Sequence, residues 1–433
     1  MNILEARRRG GRTALGAVVL ITTTAVLAGC GTTAGKPVAG EFDIRKLSVG
    51  QYPTEPADIR ASYSHSPANG KELAIGRLAN AVVIGPDVDP IFNHAVSSVS
   101  LSGPTALALV LSTVAEPVAE RNDMQFGYAA SVSTKPLSGA RDSGAILTFS
   151  PFGGMQPDPD ATSFNVTVLQ FPDQQRASTA AQQMEEADFA VAADQNQRVA
   201  LDKQPDAKAH WRPGIPSMGT TLAHGQYAIS VFVQQPKPEL AGLKSLTEQI
   251  LAAQLPLLDA LPPLSPREVL RLDYDPQGLL RRTLHPGKAL YPHAETEITS
   301  TPRGLIHTID NQPSWKTLLD NNGVDYTATT RNGALLLRAK DPKAATAVWS
   351  TITGGGPTPI DKATDVPDTS CVESTKGNKP QRFDDEDAWD KSDRFVCLLH
   401  YDRYVAVVAG AQLADVTQRA AAQYALLVNS QYM

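Results

Sequence analysis

Three cysteines, Cys30, Cys371 and Cys397, carry the clearest chemistry in this chain. Cys30 ends the run ITTTAVLAGC at residues 21–30, behind Ala28 and Gly29, which are small enough to let a peptidase reach the bond before the thiol. A thiol in that place can take a diacylglyceryl group and become the first residue of the processed chain. Cys371 and Cys397 are then left as an even pair, and the oxidising conditions met by an exported protein favour a disulfide between them. The loop-entropy relation gives about 3.5 kcal/mol for closing such a loop. Two free thiols or a metal pair are the competing readings, without a C-x-x-C spacing or a nearby histidine pair to support them.

Other reactive residue types are present without the spacing that catalysis needs. No G-x-S-x-G turn occurs, and Ser102 in SLSGP is the nearest imitation, better read as a loop serine before a glycine-proline turn. The eight histidines contain no i, i+4 pair of the helical zinc type; His285 and His293 flank PGKALYP and could converge, but a solvated loop is the better reading. TGGGPT at 353–358 lacks the lysine of a phosphate-cradling loop and follows a helix instead of preceding one. The acidic run RFDDEDAWDKSDRF (382–395) offers Asp384, Asp385, Glu386, Asp387, Asp390 and Asp393 as oxygen ligands for calcium. It has neither the glycine nor the terminal glutamate of an EF-hand, and interleaved Lys391 and Arg394 fit a solvated, disulfide-bounded loop. No cofactor, metal site or catalytic residue is therefore assigned.

The elements ahead of Cys30 explain its position. Arg7, Arg8, Arg9 and Arg12 form a positive n-region, and residues 14–28 are apolar and uncharged. Fifteen residues at about 1.5 Å each do not cross a ~30 Å hydrocarbon core, so this is a secretion signal. Leu27, Ala28, Gly29 and Cys30 match the lipobox of bacterial lipoproteins, which assigns 1–29 to the signal peptide, the first three residues to peptidase recognition and Cys30 to lipidation. Two or more acyl chains, at roughly 0.8 kcal/mol per buried methylene, make a stable anchor. Without residues 1–29 the chain keeps 35 basic and 44 acidic side chains, a net charge of −9. That balance argues against nucleic acid and against holding an anionic surface by charge. Residues 30–46, small and polar at first, read as a flexible tether.

The remainder has an ordinary globular composition, 42% hydrophobic and 19% charged. It predicts an α+β fold in two related halves, each an antiparallel sheet with helices on one face, built from a repeated β-α-β-β-α-like unit. FNVTVLQF (164–171) alternates as a strand, Asp173 caps the following helix, and Ala177, Ala180, Ala181 and Met184 share one face. GALLLRAK (333–340), Asp341 and Ala345, Val348, Trp349 and Ile352 repeat the pattern at the same offsets from the cap. Each copy continues into a hairpin, turning near His224-Gly225 and near Tyr401-Asp402, and then a helix, about 243–261 and 412–428. The disulfide would pin the second hairpin to the loop before it. Further strands are expected at 124–133, 145–150 and 304–310, a helix around 104–119, and a two-residue turn at Asn332-Gly333. The domain limits are 47–262 and 301–433, with a proline-rich linker over 263–300.

VGQYPTEP (49–56), LANAVVIGPDVDP (78–90) and FGYAASVS (126–133), with the lipobox, resemble a family of uncharacterised lipoproteins from actinobacteria with mycolic-acid envelopes. The resemblance covers most of the mature chain and implies an exported envelope protein carrying an N-terminal lipid; it brings no catalytic residues. The expected function is a non-catalytic binding or scaffolding module on the outer face of the plasma membrane, held by the lipid at Cys30. An envelope protein or an amphipathic small molecule is the expected partner. An envelope hydrolase assembled only in three dimensions, and a sensor or accessory subunit of an envelope complex, are the rival readings.

Overall fold

The computed structural model describes residues 42–136, 157–287, 290–331, 333–355, 358–373 and 393–431. Its strands form two antiparallel sheets, one from each half of the chain. The N-terminal sheet contains β1 (His94–Leu101), β2 (Phe126–Ser133), β3 (Ser163–Gln170), β4 (Gln197–Val199), β5 (Lys208–Trp211), β6 (Ser217–His224) and β7 (Tyr227–Gln234), in the order β1-β2-β3-β7-β6-β5-β4. The C-terminal sheet contains β8 (Ile298–Ser300), β9 (Tyr326–Thr329), β10 (Ala334–Arg338), β11 (Thr369–Glu373), β12 (Phe395–Tyr401) and β13 (Tyr404–Gly410), in the order β8-β9-β10-β13-β12-β11. Six strands therefore recur in one order, and β4 is an addition to the first sheet.

The predicted repeat lies at the centre of each sheet. Helix α5 (Gln174–Ala190) follows β3 and α10 (Pro342–Gly354) follows β10. Asp173 accepts from the Arg176 N–H at 2.8 Å and Asp341 from the Ala344 N–H at 2.7 Å, so both caps satisfy a donor that the first turn leaves free. Hairpins β6–β7 and β12–β13 close at His224↔Tyr227 and Tyr401↔Tyr404, with Gly225 at φ +56° and Asp402 at φ +49°. Helices α6 (Leu240–Asp259) and α11 (Leu413–Asn429) end the two units. A strand, β5 or β11, precedes each hairpin, so Cys371 lies on a strand and not in a loop; it faces Cys397 across the β11–β12 ladder and is disulfide-bonded to it.

Helices cover both faces of each sheet, not one. β2 and β3 are buried at every position, which an exposed face would forbid. Phe164, Val166 and Val168 of β3 pack with Leu243 and Ile250 of α6 and Leu78 of α2 (Pro67–Ala79), the second helix after the short α1 (Ile59–Ser62). On the opposite face Leu169 meets Ala177 and Met184 of α5. In the second sheet, Leu335 and Leu337 pack with Ala345 and Val348 of α10, while α11 lies against β12 and β13 from the other side.

Three local expectations are corrected. The span 104–119 is a 3-10 turn, Pro104–Leu109, followed by α4 (Ala115–Arg121), because Pro117 is tolerated only in the first turn of a helix. Residues 304–310 are not a strand: Thr301-Pro302 starts α8 (Pro302–Ile306), as proline at the first helical position favours, and β8 precedes it. The β9–β10 connection is longer than two residues, since Thr330 donates its N–H to the Ala334 carbonyl. Gly333 answers a different need there, because a Cβ would stand 2.1 Å from the Leu284 carbonyl oxygen. The stretch 145–150 lies outside the described residues.

The halves meet through α2, α3 (Gly85–Val88) and β1 on one side and β8, α8 and α9 (Gln312–Asn321) on the other. Asn80 Oδ1 accepts from the Thr301 N–H at 3.0 Å, Gln312 Oε1 from the Gly85 N–H at 3.0 Å, and Asp87 pairs with Arg303. Within 263–300, Ser265 caps α7 (Pro266–Leu270).

Candidate functional site: a polar row across the N-terminal sheet

Alternation along a strand sends every second side chain to one face, and register then lines such residues up across neighbouring strands. In the first sheet one line runs unbroken over all seven strands: Ser97, Ser131, Asn165, Phe232, Gly219, His210, Arg198. At one end it is a closed hydrogen-bond chain. Ser97 Oγ lies 3.1 Å from Ser131 Oγ, Asn165 Nδ2 donates to Ser131 Oγ at 2.8 Å, and Thr167 donates to Asn165 Oδ1 at 2.8 Å. Ser133 and Ser163 pair beside it at 3.1 Å.

The other end carries charge. Glu185, on the buried side of α5, is 2% exposed and takes Arg198 Nη1 at 2.9 Å and His210 Nδ1 at 3.1 Å. Because a carboxylate only accepts, Nδ1 carries the proton and Nε2 is directed toward Asp188 Oδ2, 3.7 Å away. Arg198 also stacks on Phe189, 4.0 Å from the ring centroid. Gly219 leaves the row open next to the imidazole: a Cβ there would stand 3.4 Å from His210 Cε1. A histidine oriented by a buried carboxylate can hold or pass a proton. Among the described residues, however, its hydrogen bonds go to Glu185 alone, and no hydroxyl or thiol stands in the nucleophile's place.

The residues singled out from sequence lie elsewhere. Leu27, Ala28, Gly29 and Cys30 fall outside the described residues, as does the acidic run except Asp393. Ser102 is exposed, with its carbonyl taken by Lys71 Nζ at 2.8 Å. His285 and His293 are brought together around Glu297: His285 Nε2 lies 3.3 Å from Glu297 Oε1, and His293 exchanges backbone hydrogen bonds with Glu297. Among the described residues no group of three or more ligand-type side chains is placed to hold a metal ion. The polar row went unseen in the sequence, although Ser131, Ser133, Ser163, Asn165 and Thr167 alternate with apolar neighbours in FGYAASVS and SFNVTVLQ.

Two family models match the chain, the N-terminal part of a domain of unknown function, DUF7373, over residues 61–274 and its C-terminal part over 279–430. The chain belongs to the DUF7373 family. The two DUF7373 segments correspond to the two sheets, with the boundary between α7 and β8. None of the curated proteins compared with the chain matches it. Among solved structures, the extracellular domain of PknH from Mycobacterium tuberculosis is similar at 10% identity and a TM-score of 0.27, over 44% of this chain and 98% of that one. A score of that size does not establish a shared fold.

Proposed function

We propose that this protein is an exported, lipid-anchored envelope protein of the actinobacterial type, acting as a non-catalytic binding or scaffolding module on the outer face of the plasma membrane. The observation that carries the reading is the ordered run of basic n-region, apolar stretch and Leu27-Ala28-Gly29-Cys30. The Cys371–Cys397 disulfide supports it, since such bonds persist in oxidising compartments. No helix among the described residues is long and apolar enough to cross a membrane, which leaves the lipid as the means of attachment in this reading. The hydrogen bonding of His210 to the buried Glu185 carboxylate, within a cluster with Arg198 and Phe189, is consistent with a structural role.

Cys30→Ser is expected to abolish incorporation of a fatty-acid label and to move the protein out of the membrane fraction. Persistent labelling of the serine variant would reject the anchor.

A further inference from the structure

Two stretches, 284–287 and 290–297, strap the two halves together. In the first, the Leu284 N–H donates to Gln423 Oε1 of α11 at 2.6 Å, and Thr330 Oγ1 donates to the Leu284 carbonyl at 2.5 Å. In the second, the Ala294 N–H reaches Glu72 Oε2 of α2 at 2.9 Å, and Glu295 Oε1 accepts the Ser100 N–H on the free edge of β1 at 2.9 Å. The first pair of contacts belongs to the C-terminal half and the second to the N-terminal half. His285 and Glu297 close the strap on itself.

The surroundings of His285 fix its protons. Nδ1 lies 2.7 Å from the Gly287 carbonyl oxygen, which can only accept, so Nδ1 bears a hydrogen. Nε2 lies 3.3 Å from Glu297 Oε1, whose partner oxygen Oε2 already accepts the Tyr291 N–H at 3.2 Å. The pair therefore holds a second proton between Nε2 and the carboxylate. Both side chains are largely buried, 12% and 11% exposed, so water replaces neither contact cheaply. Gly287 permits the approach, as a Cβ would come within 2.9 Å of His285 Cε1.

We infer that His285 and Glu297 form a pH-operated latch on this strap, closed while the pair keeps its extra proton and released when rising pH removes it. The charged and titratable groups around the pair favour the closed form. Arg331, at the end of β9, draws Glu297 toward the carboxylate, and Tyr274, whose hydroxyl donates to the Glu297 carbonyl at 3.3 Å, stays protonated beside it. His293 meets Glu297 through backbone only, and its Nδ1 accepts the Glu295 N–H at 3.4 Å.

Burial works against a charged ring, but the Glu297 carboxylate and the Gly287 carbonyl outweigh it and hold His285 above the ordinary imidazole value. Burial likewise opposes the carboxylate, and His285 and the Tyr291 N–H hold Glu297 below its ordinary value. For a group raised on folding, the stabilisation is complete below the unfolded pKa and is lost as pH rises through the folded one. For Glu297 the sense is opposite, with loss as pH falls through its lowered pKa. The latch thus opens as pH rises through the raised His285 pKa, loosening the stretch that carries Glu295 to the β1 edge.

The test is histidine 15N NMR of the full-length chain in detergent across pH 6 to 9, alongside hydrogen exchange corrected for the intrinsic pH dependence. The expected result is a His285 that keeps both ring protons to higher pH than an ordinary imidazole before losing one. Protection at Tyr291, Ala294 and Glu295 should fall in step by about tenfold. His285→Gln, which keeps a donor without the charge, should remove the pH step. A His285 that titrates at or below the ordinary imidazole value, or strap protection that does not follow its titration, overturns the latch on the wild-type chain alone.

Discussion

The two sheets share six strands in one order and treat one face in opposite ways. Counting back from the capping aspartates, Thr167 of β3 corresponds to Leu335 of β10 and Asn165 to Gly333. Counting on from the tyrosines that open β7 and β13, Ser230 corresponds to Val407 and Phe232 to Ala409. The C-terminal copy fills this face with apolar side chains packed under α10, as the repeated topology allows. The N-terminal copy buries serine, threonine and asparagine in the same layer. Such groups destabilise a core unless hydrogen-bonded, and here they satisfy one another. The topology therefore does not require the polar row, which together with β4 and the Glu185–His210–Arg198 cluster is what the N-terminal half adds to it.

Exchanging residue types between the copies puts this contrast under the greatest load. Leu335→Asn places an unpartnered amide in a packed apolar cluster and is expected to lower stability by about 3–5 kcal/mol. Thr167→Val, at the corresponding position, removes one hydroxyl donor and should lower it by about 1 kcal/mol. Urea unfolding measures both, and equal losses would mean the two layers are not chemically distinct.

A smaller effect separates the junction from the strap. His307, buried against Tyr128, donates Nε2–H to the Ala79 carbonyl at 3.1 Å and stays neutral. Burial, aided by the Arg303 charge, pushes its pKa down to about 3. A depressed histidine lets the unfolded chain bind the extra proton first, so stability is lost as pH falls below 6.5, by up to about 1.4 kcal/mol per unit. Unfolding between pH 7 and 5 should show a steeper slope in wild type than in His307→Gln, which keeps the smaller loss expected of half-buried His400. Its sign is opposite to that expected of His285, so one loss should appear as pH falls and the other as pH rises.

The smallest test concerns what the copies hold in common. Asp173→Ala and Asp341→Ala should each lower stability by about 1 kcal/mol, because both caps make one contact of nearly the same length. Losses differing by more than twofold would show that the copies no longer share their energetics.

The shared core was legible because its signals are local: alternation in FNVTVLQF and GALLLRAK, an aspartate at each cap, and apolar offsets that fix a helix face. Sheet order is not local. Ser97 and Arg198 belong to one row only because β7 inserts between β3 and β6, and nothing in either residue's neighbourhood says so. The expectation of one covered face failed because the alternating polar residues of FNVTVLQF, Asn165 and Thr167, are buried and hydrogen-bonded to each other, not exposed. The stretch between His285 and His293 reads as a solvated loop, yet His285 is largely buried against Glu297, an acid that the sequence does not mark as its partner. The motifs VGQYPTEP and LANAVVIGPDVDP gained meaning from contacts far along the chain, with α11 and with Thr301, Arg303 and Gln312.

The first of those motifs governs how force would travel through the molecule. Gly50 packs against Gln418, Tyr52 Oη donates to Asp415 Oδ1 at 2.5 Å and accepts from Arg419 Nε at 3.1 Å, and the Thr54 carbonyl accepts from Asn429 Nδ2 at 2.8 Å. Between Asp415 and Asn429 the helix advances about 21 Å, so the chain is laid along α11 and not fastened to it at a point. Tension applied ahead of Asp43 and along the helix axis would load these contacts together instead of peeling them in turn. It reaches α11 and the sheet crosslinked by Cys371–Cys397 first, and the sheet bearing the polar row is sheltered behind them.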